Sequence, residues 1–118
     1  MKQRGIDLVI FSPRASFMAH HIGDFAVSSA WAAICNELCF RVTQLFPRHF
    51  AGAAMLPQPP GVDPRTCIPE LDKCVNEYGF VGINLNPDPS GATGRRRLCP
   101  IVTGIPSTSG WSNTAFQR

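Results

Sequence analysis

The sequence lacks several features that would assign it to a common class of protein. No apolar run approaches the ~18 residues of a membrane-spanning helix, and charged residues make up only 16% of the 118 positions. A basic pair at Lys2 and Arg4 is followed by Asp7 rather than by an apolar stretch with a small-residue cleavage site, so a secretory signal peptide is not indicated. With 44% hydrophobic residues, the sequence predicts one small cytoplasmic domain at most.

The net charge of +3 is confined to one end of the chain. Residues 1–91 carry seven basic and eight acidic side chains, whereas residues 92–118 carry four arginines and no acid. The body therefore has no excess of positive charge to attract a polyanion, and we expect neither a nucleic-acid nor a membrane partner. The arginine run 95–97 is the only feature that favours nucleic-acid binding.

The five cysteines do not have the paired spacing of a zinc site. No CxxC sequence is present, and the count is odd. We interpret them as reduced, mostly buried thiols of a cytosolic protein. They are Cys35, Cys39, Cys67, Cys74 and Cys99.

Apolar periodicity predicts alternating strands and helices up to Gly91. Buried strands are predicted over 6–11, 50–57 and 80–86, because each is a short apolar run bounded by turn residues. A helix is predicted over 25–45, with Asp24 as N-cap and Pro47 after its end. A second helix opens at Pro64 or Pro69 and stops at Gly79.

Each predicted helix has an apolar stripe. The first stripe recurs every three to four residues and comprises Trp31, Ile34, Cys35, Leu38, Val42 and Leu45. The second comprises Ile68, Leu71, Val75 and Tyr78. Amphipathic helices between buried strands indicate βαβ units, so the predicted fold class is α/β with a parallel sheet.

Ligands of such sheets bind at the carboxyl ends of the strands. These ends carry polar residues in the segments 12–14, 55–58 and 84–87. Asn84 and Asn86 share one face with Gly82 at strand period, so they either hold a ligand or cap the turn before Pro87. The pair His20–His21 lacks a third ligand nearby, which favours a structural role over metal binding.

Long stretches of the chain resemble one enzyme family. They are FSPRASFMAHHIGDF, WAAICNELC and MLPQPPGVDPRTCIPELDKCVNEYGFVGINLNPDPSG. They are similar to the amidohydrolase superfamily, in its aminocarboxymuconate-semialdehyde decarboxylase-like group, and most of all to its 4-oxalomesaconate hydratase branch. The resemblance implies an incomplete (β/α)8 TIM barrel, of which residues 1–91 would supply about strands two to four and the helices between them.

The resemblance also implies a function. It implies a zinc-dependent enzyme that adds water to 4-oxalomesaconate, a small tricarboxylate of aromatic-compound catabolism. The metal ligands and catalytic groups of the family map to no residue here, so the isolated chain is expected to bind no metal and to be inactive. Arg14, Asn84 and Asn86 are the expected substrate-binding residues, because a guanidinium and amides suit carboxylates. The alternative for Arg14 is an ordinary surface arginine on a loop.

Other functions stay open from the sequence. Within the family, the parent enzyme could be a decarboxylase or a hydrolase. Outside it, the chain could be a non-catalytic pseudogene product or an interaction module. An open barrel segment exposes strand edges and apolar helix faces, which favours a homo-oligomer or a complementing fragment as partner.

The last 27 residues depart from the family and show neither helix nor strand period. Read from the third base of the Gly91 codon, permitted codons for this segment can encode a family-like sequence, GHWTSPPLPDRDWYPVYEWLVEYGIPA. We therefore expect two parts: a partial barrel over 1–91, and an unstructured tail over 92–118 that is translated out of frame.

Overall fold

Three short parallel strands and two α-helices make up the part of the fold that the structure describes. The computed structural model describes residues 4–14 and 19–86. The elements, in chain order, are β1 (Val9–Phe11), α1 (Phe25–Leu45), β2 (Phe50–Met55), a 3₁₀ turn (Pro64–Cys67), α2 (Ile68–Asn76) and β3 (Gly82–Asn84). The predicted alternation of strand and helix is confirmed, as is the α/β class.

The sheet has the order β1–β2–β3, and both pairings are parallel. Val9 aligns with Phe50 at one end of the β1–β2 pair, and Met55 aligns with Asn84 at the end of β2–β3. The strands are shorter than their apolar runs. The apolar run that begins at Ile6, for example, enters the sheet only at Val9. Val9 pairs with Phe50, the first residue of β2, so the residues before Val9 have no partner in that strand.

The ends of α1 are set by the predicted residues. Oδ1 of Asp24 accepts a hydrogen bond from the Val27 backbone N–H at 3.0 Å, which satisfies a donor that the first helical turn leaves open. The helix ends at Leu45, two residues before Pro47. Gly79, after α2, has φ +66°, a left-handed conformation that suits the predicted glycine stop.

The apolar stripe of α1 is not the face that packs on the sheet. The buried residues of α1 are small or polar: Ser28, Ala32, Asn36, Cys39 and Thr43. Trp31, Ile34, Leu38 and Leu45 are each more than half exposed. The facing strand is consistent with this choice: Cys39 of α1 packs in one cluster with Ala54 of β2, and small side chains on both elements let the helix approach the sheet closely.

Gly52 makes room for an aromatic ring. A Cβ at this position would lie 2.3 Å from the ring of Phe80, so the glycine allows Phe80 to pack directly on β2. Phe80 is buried in a core cluster with Cys39, Ala54 and Cys74. A second cluster contains Leu56, Cys67 and Leu71, with Val75, Ile83 and Leu85 against it. The predicted stripe of α2 thus faces the core.

Asn36 joins three elements through one buried side chain. Its Nδ2 donates to the Met55 carbonyl and to Oε1 of Glu70, both at 2.8 Å, and its Oδ1 accepts from the Met55 N–H at 2.9 Å. The amide thereby pairs with the end of β2 as a neighbouring strand would. It also holds α2 beside α1.

The thiols lie in or next to the core. Cys39, Cys67 and Cys74 are buried and Cys35 is half-buried, and none of the four forms a disulfide within the described part of the chain. This agrees with the expected buried thiols, whereas Cys99 lies outside the described residues. No helix in the described ranges has the length and apolarity to cross a bilayer. The predicted tail over 92–118 also lies outside these ranges.

Candidate functional site

The carboxyl ends of β1 and β3 meet through the side chain of Asn84. Its Nδ2 donates to the Pro13 carbonyl at 2.7 Å and to Oγ of Ser12 at 3.0 Å. Asn84 closes β3 and aligns with Met55, while Ser12 and Pro13 follow β1. The amide therefore reaches across β2 on the face opposite to Ile83, which packs in the core.

A second polar link connects the ends of β2 and β3. Gln58 follows β2 and is 5% exposed. Its Oε1 accepts from the Asn86 backbone N–H at 2.9 Å, and its Nε2 donates to the Asn86 carbonyl at 3.2 Å. This two-point contact fixes the backbone of residue 86 beside the loop after β2.

His20 lies against the same loop and is only 2% exposed. The Gln58 backbone N–H donates to its Nδ1 at 3.3 Å, and Oγ of Ser28, in the first turn of α1, lies 3.3 Å from the same nitrogen. Nδ1 is thus an acceptor, which puts the proton of the neutral ring on Nε2. Burial, and next the charge of His21, lower the pKa of His20 below its usual value, so the ring is neutral at pH 7.

The Nε2–H of His20 is a buried donor with no acceptor among the described residues. A buried donor without a partner costs about 1–3 kcal/mol, and native structures retain few such groups. His20 contacts the loop that follows β2, at the carboxyl end of the sheet, where the ligands of parallel sheets bind.

The structure brings two of the three predicted substrate residues into this cluster. Asn84 joins the cluster through its side chain and Asn86 through its backbone. Neither contact tests whether these residues bind substrate. Arg14 is exposed and directly follows Pro13, which Asn84 contacts. All three therefore lie at one edge of the sheet, and their role in binding stays a prediction.

The sequence interpretation located the polar strand end 55–58 but did not single out Gln58, which stands there between two prolines. His20 was given a structural role, which agrees with its bonds to Ser28 and Gln58 but leaves Nε2 unexplained. Nothing in its spacing separates it from His21, which is exposed.

The described residues do not fit a metal ion. Within 4–14 and 19–86, no group of three or more His, Cys, Asp or Glu side chains converges closely enough to hold one. The chemistry of the cluster is instead that of hydrogen bonding, through an amide and an imidazole N–H, with Arg14 next to Pro13 along the chain. Such groups recognise carboxylate and carbonyl oxygens.

Comparison with known proteins identifies relatives over most of the chain. The amidohydrolase family profile matches residues 1–102. A 2-keto-4-carboxy-3-hexenedioate hydratase of a Sphingobium species is 58% identical over 91 residues, which are 77% of this chain and 27% of that protein. The chain thus spans about a quarter of the length of its curated relative.

Solved structures agree with this relationship. The 4-oxalomesaconate hydratase of Rhodopseudomonas palustris is 69% identical with a TM-score of 0.72, over 82% of this chain and 27% of that one. A 2,6-dihydroxybenzoate decarboxylase from Rhizobium is 29% identical with a TM-score of 0.70, over 85% and 30%. A dihydroxybenzoic acid decarboxylase of a Polaromonas species, solved with manganese and 2-nitroresorcinol, is 31% identical with a TM-score of 0.60, over 73% and 25%.

These matches explain the open three-stranded sheet as part of the barrel of much longer enzymes. The sequence, the parallel sheet and the family match agree, and the chain belongs to the amidohydrolase family, with strong similarity to its 4-oxalomesaconate hydratases.

Proposed function

We propose that this chain is the substrate-contacting segment of a cytoplasmic hydratase that adds water across the carbon–carbon double bond of 4-oxalomesaconate. The observation that carries the proposal is the contrast in identity: 69% and 58% to two hydratases, against 29% and 31% to two decarboxylases of similar fold. The polar cluster at the strand ends supports it, because its donors suit a tricarboxylate.

Each residue of the cluster has a proposed task. Arg14 binds one carboxylate through its two-pronged guanidinium. The His20 Nε2–H donates to a second substrate oxygen, because it is buried without an acceptor among the described residues. Asn84 and Asn86 fix the two flanking segments and present their own polar groups at the same edge. These residues bind and orient the substrate, and none of them moves a proton.

The water-adding chemistry belongs to other parts of the enzyme. The family resemblance implies zinc, and one relative binds manganese, but the described residues offer no ligand set for either ion. We therefore assign no catalytic step to this segment. The isolated 118-residue chain, supplied with zinc or manganese, should give no hydration of 4-oxalomesaconate, and measurable turnover would contradict the assignment.

A chimera tests the proposal directly. Residues 1–91 replace the corresponding segment of the Rhodopseudomonas hydratase, which the high identity should allow without loss of folding. The chimera should hydrate 4-oxalomesaconate and should not decarboxylate 2,6-dihydroxybenzoate. A folded chimera without hydratase activity, or with decarboxylase activity, would refute the proposal.

Variants of the chimera separate binding residues from the scaffold. Arg14→Gln removes the guanidinium and should raise KM about tenfold to a hundredfold, the effect of losing one charge-assisted hydrogen bond. Asn76→Ala, at the exposed end of α2, is the matched control and should leave the kinetics unchanged. If Arg14→Gln behaves like this control, Arg14 is a surface residue and not a substrate contact.

The alternatives are outcomes of the same experiments. Decarboxylation by the chimera would favour the decarboxylase function, which the likeness to the two dihydroxybenzoate decarboxylases suggests. A chimera that folds but has neither activity would favour a non-catalytic product.

A further inference from the structure

One side of α1 carries a regular apolar surface that the fold does not use. Its residues follow one another at alternating spacings of four and three, the repeat of helix-to-helix packing. We call this row the α1 seam; it comprises Val27, Trp31, Ile34, Leu38, Arg41 and Leu45. The five apolar members are between 53% and 72% exposed.

The seam lies away from everything that α1 contacts within the described part of the chain. Asn36 and Phe40 mark the side of α1 that meets α2, through the hydrogen bond to Glu70 and through ring stacking on Tyr78 at 4.4 Å. At about 100° per residue, Ile34 and Leu38 project roughly 160° around the helix from Asn36. The seam is thus open to a partner.

The order of residues in the seam shows which partner fits. The six residues are arranged symmetrically about position 36, the middle of the row. If a second copy of α1 packs antiparallel, Val27 faces Leu45 of the other copy and Ile34 faces Leu38. The third layer places Trp31 opposite Arg41, and a guanidinium against the face of an indole is a favourable cation–π pair.

Every layer is therefore self-complementary in the way that a two-fold interface requires. A parallel pair would instead put Arg41 against Arg41 in one layer of the seam, which is unfavourable. Arg41 is also oriented by its ion pair with Glu37 of the same helix, at 2.5 Å. This pair lies beside the seam and leaves the apolar layers intact.

We propose that this chain forms a two-fold homodimer through antiparallel packing of the α1 seam. With typical side-chain areas, the apolar members offer on the order of 500 Å² per copy, below the ~800 Å² of a standard interface. The dimer is accordingly expected to be weak and reversible.

Sedimentation of the whole chain over a wide concentration range tests the proposal. The sedimenting mass should rise with concentration from 12.9 kDa to twice that value. In a Trp111→Phe background, which leaves Trp31 as the only tryptophan, the indole emission should shift to shorter wavelength over the same range. Ile34→Glu should abolish both changes. Ile22→Glu, at a residue that is 65% exposed but lies before α1, should change neither.

Mixing two variants tests the antiparallel register. Ile34→Glu and Leu38→Lys chains should each be monomeric alone, but an equimolar mixture should dimerise, because residue 34 faces residue 38 of the other copy. Unchanged far-UV circular dichroism of both variants shows that they fold. The proposal is overturned by a chain that stays monomeric, by association that persists in Ile34→Glu, or by a mixture that fails to dimerise. Each of these outcomes would indicate that the seam is covered by another protein segment or by nothing.

Discussion

Asn36 should contribute more to stability than any other polar side chain in the described fold. Asn36→Ala removes the acceptor and the donor that pair with the backbone of Met55 and also the donor to Glu70. The Met55 N–H and C=O are then buried without partners, at about 1–3 kcal/mol each. We expect a loss of about 3–5 kcal/mol, a large part of the 5–15 kcal/mol of a typical domain.

Urea and thermal unfolding followed by circular dichroism measure this loss. For a domain of this size, the melting temperature should fall by on the order of 15 °C. The control Asn76→Ala removes an exposed amide at the end of α2 and should change stability by less than about 0.5 kcal/mol. A cost below about 1 kcal/mol for Asn36→Ala would refute the view that this amide joins α1, β2 and α2.

Asn36→Asp gives a second test through pH. The new carboxylate can still accept from the Met55 N–H, but it faces the Met55 carbonyl and Glu70, so its pKa is raised in the folded state. Stability of the variant is then greatest in acid and is lost as the pH rises through that pKa. The deficit should exceed that of Asn36→Ala at pH 7 and shrink below about pH 5. A deficit that does not depend on pH would contradict the contact with Glu70.

Two further predictions concern the core. Gly52→Ala places a Cβ at 2.3 Å from the Phe80 ring and should lower the free energy of unfolding by about 1–3 kcal/mol. In a Phe80→Leu background, the same substitution should cost almost nothing, because the ring is gone. Additive costs of the two substitutions in a double-mutant cycle would contradict this contact. Burial raises the pKa of the Cys39 thiol to about 11, and burial with the charge of Glu70 raises that of Cys74 to about 12. Because these thiols stay protonated in the folded state while unfolded thiols ionise near pH 9, the free energy of unfolding should fall from pH 9 to about pH 11. At pH 8, a thiol reagent should modify Cys35 before Cys39 and Cys74, and equal rates would contradict their burial.

The order of elements could be predicted from local sequence. Asp24 and Pro47 delimit α1, and the short apolar runs locate each strand, because caps and turn residues act over a few positions. The strand ends could not be predicted as well. Where β1 starts depends on which residue of β2 lies beside Val9, a long-range pairing that no local pattern encodes.

The orientation of α1 shows where local reasoning fails. Periodicity identifies the row of Trp31, Ile34 and Leu38, but whether that row packs on the sheet depends on the small residues of β2. Similarly, the face of β3 on which Asn84 lies followed from strand period, whereas its bond to Pro13 required knowledge of the strand order. The contacts of Gln58 and the unpartnered Nε2 of His20 became visible only once burial and hydrogen bonding were known.

The measurement that tests the proposed substrate site most directly is the kcat/KM of the hydratase chimera with His20 replaced. In His20→Asn, the amide oxygen keeps an acceptor near the position of Nδ1 for the Gln58 N–H, but no donor reaches the position of Nε2. His20→Gln, whose longer amide reaches that position, is the matched variant. We expect a fall in kcat/KM of about tenfold or more for His20→Asn, partial recovery in His20→Gln, and similar unfolding temperatures. Equal kcat/KM for the chimera and His20→Asn would contradict the claim that this segment contacts the substrate through His20.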